Sequence, residues 1–500
     1  MKQYESNTKF GEFTLPSYSD PLVGQLSLDG HKTNLELYSK DFYNLRDTNG
    51  KTIYGVLKDK EKISLINCIT SEVPGSGSRA GERYFFSDIF PHYIIFGNDH
   101  LNPDQEVITA LSFLIEDASC LFYDFDAFGT ILQDDCDIKA LLEQISEKQE
   151  QAFQVGEYPE VFYYTGKEGI FNSRTCWGKV SASHCPSWTM PSPDGISMKN
   201  RIPVRIEFES PHKFDGAINK FYVLLGFLET VLGHAQNVTS LRLETKGGKE
   251  QHNILDVYWC MYPEYKQNLK KRKPHPSDVL INGGMSPDIF SLVLKNWLES
   301  QQDRQEARAR FVQSFRNQNN YTIDRLVGAA NMFDILPDNA VGSPKSLCPE
   351  LSKAIEACKK VLSAIPRTQE RDGILGALGR AGNHNLKTKV KHRARLITDQ
   401  IDKLPELDLV IDQTINCRNF YVHGASKKEK LTAKDRLHFS IFFTDTLEFI
   451  FATSELIEAG WDIKEWVSKG SCLSHPFSRY IHGYPANSKQ LFDKIMGEAK

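Results

Sequence analysis

The stretch LDLVIDQTINCRNFYVHG, residues 407–424, decides how this chain is read. Leu407, Ile411 and Ile415 recur every fourth residue, so a helix here turns them to one inward face. Gly424 suits the position just past the helix end, where a left-handed backbone is often needed. Between them lies Arg418-Asn419-Phe420-Tyr421-Val422-His423. Asn419 and His423 are four apart and share a helical face. Arg418 starts about 100° round the helix, but its long side chain can swing toward the same place. The spacing predicts a cation, an amide and an imidazole gathered at one helix end.

Those groups suit RNA cleavage. RNA carries its own nucleophile, the 2′-hydroxyl. The enzyme must move protons near neutral pH, which His does, and must hold positive charge beside the phosphate, which the Arg fork does. Asn can orient the imidazole or a phosphate oxygen. A competing reading makes His423 a dipole-stabilised helix end and Arg418 a surface ion-pair member. Three features favour the first reading. Asn follows Arg directly, Gly follows His, and the next helix is preceded by a basic loop with Lys427, Lys428, Lys430, Lys434 and Arg436.

Working outward, nearly everything beyond residue 286 has helical periodicity. Helices are expected from Ser286-Pro287 past Trp297 into ESQQDRQEARARF, and over YTIDRLVGAANMFDIL and PELSKAIEACKKVLSAI. Further ones cover QERDGILGALGRAG, KTKVKHRARLITDQI and AKDRLHFSIFFTDTLEFIFATSELIEAG. The basic, proline-ended run NLKKRKPHP marks a boundary, with a linker over 271–285. Residues 1–270 read as a β-rich region of one or two subdomains. Short strands such as TNLELYS, TIYGVL and ISLINCIT are punctuated by turn residues, and one helix spans Ala217–Leu232. SLRLET and ILDVYWCMY form a hairpin about Gly247–Gly248, and Gly75–Glu82 reads as a flexible loop. The fold class is α+β with segregated domains: β-rich 1–270, then an all-α bundle over 286–500.

Bulk properties add limits. The 500 residues exceed one ordinary core. A formal net charge of -4 means any RNA surface must be a local basic patch. The N-terminal MKQYESNTKFGEF lacks the apolar run of a secretory signal. Phe439–Phe451 is too short and too interrupted to span a bilayer. Ten scattered cysteines fit a reduced, cytoplasmic compartment.

RNFYVHG in a helical domain resembles the R-N-x3-H signature of HEPN ribonucleases. The wider layout resembles the ApeA family of anti-phage proteins, which joins a β-rich N-terminal region to a C-terminal HEPN domain. FGEFTLP, VGQLSLDG and YGVLKDKEKISLINC are similar to that family's opening, and YTIDRLVGAANMFDIL resembles its first core HEPN helix. The resemblance implies that HEPN domains pair, as a homodimer or higher homo-oligomer, so that two motifs face one cleft. Arg418 and His423 are then catalytic, with Asn419 supporting them. It implies metal-independent cleavage with no required cofactor, leaving a 2′,3′-cyclic phosphate and a 5′-hydroxyl. It implies host RNA as substrate, tRNA in particular, and growth arrest of an infected cell. The N-terminal region becomes a sensor or regulator, a phage-derived protein becomes a candidate trigger, and no membrane is involved. The alternative function is a non-catalytic RNA- or nucleotide-binding or oligomerisation module.

Other features are weaker. Lys387, Lys391 and Arg395 fall at successive i+4 positions and could track phosphates, with Lys427 and Lys428 beside them, or could simply be a solvated face. Cys176, Cys185 and Cys260, with His184 and His252, could assemble a structural zinc site, although no C-x2-C pair exists and buried or incidental cysteines are the simpler account. The aromatics Phe162, Tyr163, Tyr164, Tyr258 and Trp259 could stack bases, but strand packing is the default. Gly75–Gly81 lacks the G-K-[ST] ending of a P-loop.

Overall fold

In the computed structural model of the chain, the described residues are 7–16, 18–41, 45, 48–70, 74–79, 81–124, 126–131, 135–148, 154–189, 193–246, 252–261, 274–317, 320–342, 347–379, 381–382, 384–424 and 431–497. The chain splits into two compact units. One holds residues 1–232 and 236–295, the other 233–235 and 296–500. The Gly247–Gly248 turn, the start of the linker at 271–273, and Lys427, Lys428 and Lys430 lie outside the described residues.

The first unit is antiparallel. Its opening strands are β1 (Asn7–Leu15), β2 (Tyr18–Leu28), β3 (Asn34–Ser39), β4 (Ile53–Leu57), β5 (Lys62–Thr70), β6 (Gly75–Arg79) and β7 (Glu82–Gly97). They run in the order β7-β3-β2-β1-β4-β5, and β5 pairs back onto β7, which closes a six-stranded barrel. Alternation sets the faces: Leu35 and Leu37 of β3 and Ile53 and Leu57 of β4 point into a core with Phe13 and Leu26.

Then follow β8 (Ile108–Ile115), α1 (Ala118–Leu121), β9 (Phe128–Ile131), α2 (Asp135–Lys148) and β10 (Val161–Tyr164). The unit continues with β11 (Gly169–Thr175), β12 (Gly178–Ser183), β13 (Cys185–Trp188), β14 (Met198–Arg201) and β15 (Val204–His212). It ends with α3 (Phe214–Leu232), β16 (Val238–Lys246) and β17 (His252–Trp259). An open sheet, β11-β12-β15-β8-β16-β17, joins the other edge of β7. Pro91, which has no N–H to give, falls where that edge changes partner, between β3 at Phe85–Ile89 and β17 at Tyr93–Phe96.

Three sequence expectations change here. Gly75–Arg79 is a strand, not a loop, because Gly75 and Gly77 lie opposite Phe86 and Tyr84 of β7. A Cβ on either glycine would come within 2.4–2.5 Å of those rings, so the rings occupy the space the glycines leave. Residues 135–148, read as part of a β-rich region, form α2. In the expected linker, Val279, Leu280 and Ile281 are buried, and the Leu280 amide donates to the Val231 carbonyl at 3.0 Å.

The second unit is helical. Its helices are α4 (Pro287–Glu299, which begins in the first unit), α5 (Gln301–Arg316), α6 (Ile323–Asp334), α7 (Pro349–Ser363) and α8 (Gln369–Gly379). The rest are α9 (Leu386–Thr398), α10 (Leu407–His423), α11 (Ala433–Glu458), α12 (Ile463–Ser468) and α13 (Pro476–Gly497). The single helix expected from 287 past 310 breaks at Ser300, whose hydroxyl donates back to the carbonyls of Asn296 and Trp297, both at 3.1 Å. Helix α11 starts with a Thr432/Asp435 capping box and is buried on nearly all sides from Phe442 to Leu456.

Its carboxylates enter the core with partners. Glu455 accepts from Arg304 at 2.7 Å, Arg308 at 2.8 Å and Arg393 at 2.9 Å. Glu448 takes a bidentate pair from Arg325 at 2.9 and 2.8 Å. Burial pushes the Arg308 guanidinium down to about 10. Among the described residues no helix is long and apolar enough to cross a membrane.

Candidate active site

Helix α10 is anchored by Leu407, Ile411 and Ile415, which are 3%, 0% and 2% exposed. Each such burial contributes about 1.5–3 kcal/mol. The helix ends at His423, and Gly424 follows with φ 84°, its amide donating to the Phe420 carbonyl at 2.9 Å. That φ is open to glycine at little cost. The anchored stripe and the glycine stop together fix where the last turn lies.

Arg418 turns inward. Its Nη2 donates to Asn331 Oδ1 of α6 at 2.7 Å, and its Nη1 donates to Asn419 Oδ1 at 3.1 Å. Asp334 approaches no nearer than 3.8 Å and is itself 42% exposed. The buried Nε has no hydrogen-bond partner among the described residues. Two neutral amide oxygens thus hold the guanidinium, and no carboxylate closes on it. Its charge is paired only at long range, by Asp334 at 3.8 Å, and leaves room for a closer anion.

His423 is exposed and makes no hydrogen bond or ion pair within the described residues. Five residues of helix separate it from Arg418, about 7.5 Å of rise and 140° of turn. The expected gathering therefore holds for Arg418 with Asn419. His423 stands apart at the helix end.

Asn331 was not singled out from the sequence. The available signal was a polar residue inside the apolar run AANMF, where Ala329, Ala330, Met332 and Phe333 are buried.

The basic stripe of α9 is mostly committed. Lys387 lies 3.5 Å and Lys391 2.9 Å from Asp412 of α10, and Lys391 is 3.8 Å from Asp408. Arg395 is exposed. Arg436 is buried with its guanidinium 3.7 Å from the Phe420 ring centre. Cys176 and Cys185 are exposed and Cys260 is buried. Among the described residues no three His, Cys, Asp or Glu side chains come together as a metal site. Of the aromatics, Tyr258 is buried in the barrel core, while Phe162 is 66% exposed.

A helical bundle with Arg-Asn-x3-His at the end of a core helix is the arrangement of a HEPN protein. The model of ApeA N-terminal domain 1 matches residues 8–297, and that of Apea-like HEPN matches residues 327–465. The chain belongs to the ApeA-like HEPN family. No curated protein and no solved structure matches it.

Proposed function

We propose that the chain is a HEPN endoribonuclease of anti-phage defence that cleaves RNA, tRNA in particular, without a metal ion. The observation that carries this is the Arg418 guanidinium, held by Asn331 and Asn419 through neutral oxygens, on the same helix end as the exposed His423. In the reaction the 2′-oxygen attacks the adjacent phosphorus and the 5′-oxygen of the next nucleotide leaves. His423 moves the proton, and Arg418 meets the charge that builds on the phosphoryl oxygens. The products are a 2′,3′-cyclic phosphate and a 5′-hydroxyl.

A second copy brings its own motif to the same cleft, so an arginine and a histidine that stand apart in one chain meet across two. Val422, Leu437 and Ile441, which are 44%, 67% and 49% exposed, support pairing at this end of α10 and α11. The activity belongs in the cytoplasm, with the RNA. The β-rich unit restrains it until infection, with a phage-derived protein as trigger.

The test is end-labelled tRNA incubated in excess EDTA with wild type, Arg418→Ala and His423→Ala. Cyclic-phosphate ends from the wild type alone are the expected result. Equal cutting by all three sinks the assignment.

A further inference from the structure

The helical unit holds a cavity of about 310 Å³ that none of Arg418, Asn419, His423 or Asn331 lines. Its apolar walls are Phe315, Phe477 and Tyr480. Two of its charges settle each other: Arg325 gives Nε and Nη2 to Glu448, whose Oε1 also accepts from the Ser314 hydroxyl at 2.7 Å. Arg479, exposed, turns Nη1 to the carbonyls of Leu473 and Ser474 at 3.1 and 2.7 Å. Asp445 differs. It accepts from the Tyr321 hydroxyl at 2.8 Å, and no ion pair reaches it among the described residues. Burial pushes its carboxyl up to about 6, helped by the Glu448 charge and opposed by the Tyr321 hydrogen bond and the more distant charges of Arg325 and Arg479.

We infer that this cavity binds a small organic amine as its ammonium ion, with the charge on the Asp445 carboxylate and the apolar body against Phe315, Phe477 and Tyr480. A half-buried carboxylate with no ion-paired cation is costly to keep charged, and a ligand cation lowers that cost. Aromatic walls attract a cation further. A neutral ligand leaves the carboxylate unpaired. The site straddles the family match: Asp445 and Glu448 lie within the matched residues 327–465. Phe315, Tyr321 and Arg325 precede the matched residues 327–465, and Phe477, Arg479 and Tyr480 follow them.

The experiment is calorimetric titration of the full chain with benzylamine, and with benzyl alcohol as its neutral counterpart of similar size. Benzylamine is expected to bind at least tenfold more tightly. Its affinity should fall as pH drops through 6, because the ammonium needs the ionised carboxylate. The groups facing Asp445 are Tyr321, Arg325, Glu448, Arg479 and Tyr480, and none is a histidine. Asp445→Asn, nearly isosteric and still able to accept from Tyr321, should erase the preference for the amine. Tyr321→Phe should move the pH midpoint upward. Equal binding of amine and alcohol, binding of neither at millimolar concentration, or an unchanged preference in Asp445→Asn overturns the inference. If Asp445→Asn does not fold, the pH profile of the wild type decides between the same outcomes.

Discussion

The core of the helical bundle buries arginines and the end of α10 half-buries one, but they treat its charge in different ways. In the core, Arg308, Arg325 and Arg393 each meet a carboxylate of α11 at under 3 Å. At the end of α10, Arg418 meets two amide oxygens, and its nearest carboxylate stands 3.8 Å away. Burial alone therefore does not mark a functional arginine. Under the proposed function, what sets Arg418 apart is a side chain fixed by neutral oxygens, with its one carboxylate at long range. Asp445 is the mirror case, a carboxylate fixed by Tyr321 with no cation upon it.

The sharpest way to break the comparison is in the core. Glu455→Gln leaves Arg304, Arg308 and Arg393 without their shared charge, and denaturant unfolding should show a loss of about 3–5 kcal/mol. His423→Ala should do the reverse. Unfolding should be unchanged within about 0.5 kcal/mol, while the cleavage rate falls about 10²–10⁴-fold.

Asp445 gives a pH test. Its folded carboxyl lies near 6, above the ordinary 3.8, so the folded state holds the proton more tightly than the unfolded one. Its contribution is thus full below about pH 4 and is lost as pH rises to 6, by at most about 3 kcal/mol. Melting curves across that window should lose this slope in Asp445→Asn. The smallest expected effect is the most informative. Asn331→Asp gives Arg418 the carboxylate its core counterparts have. Stability should hold or rise slightly, while cleavage drops about tenfold, as one lost charge-assisted contact predicts. Unchanged cleavage would mean that the loose pairing of Arg418 is not what matters.

Much of this site was legible. The Leu407/Ile411/Ile415 period and the glycine after His423 placed α10 and its end, because both signals are local. Asn331 was not legible as Arg418's partner, since it lies 87 positions earlier and only packing brings it near. The pairing of the α9 basic stripe was not legible for the same reason. Asp408 and Asp412 were visible in the sequence, but which helix they would face was not. Gly75 and Gly77 read as a loop because the rings that turn them into a strand come from β7. The break at Ser300 turns on a hydroxyl bonding its own helix, a choice that periodicity does not record.

Strand β7 has a further consequence. It is one wall of the barrel and one edge of the open sheet, and it gives up backbone hydrogen bonds to β5, β3 and β17 along a single continuous run. Neither sheet can open fully without exposing amides of the other, so the two halves of the first unit should not behave as separate subdomains. In hydrogen exchange they should protect and release their amides as one cooperative block, with the β7 amides among the last to exchange.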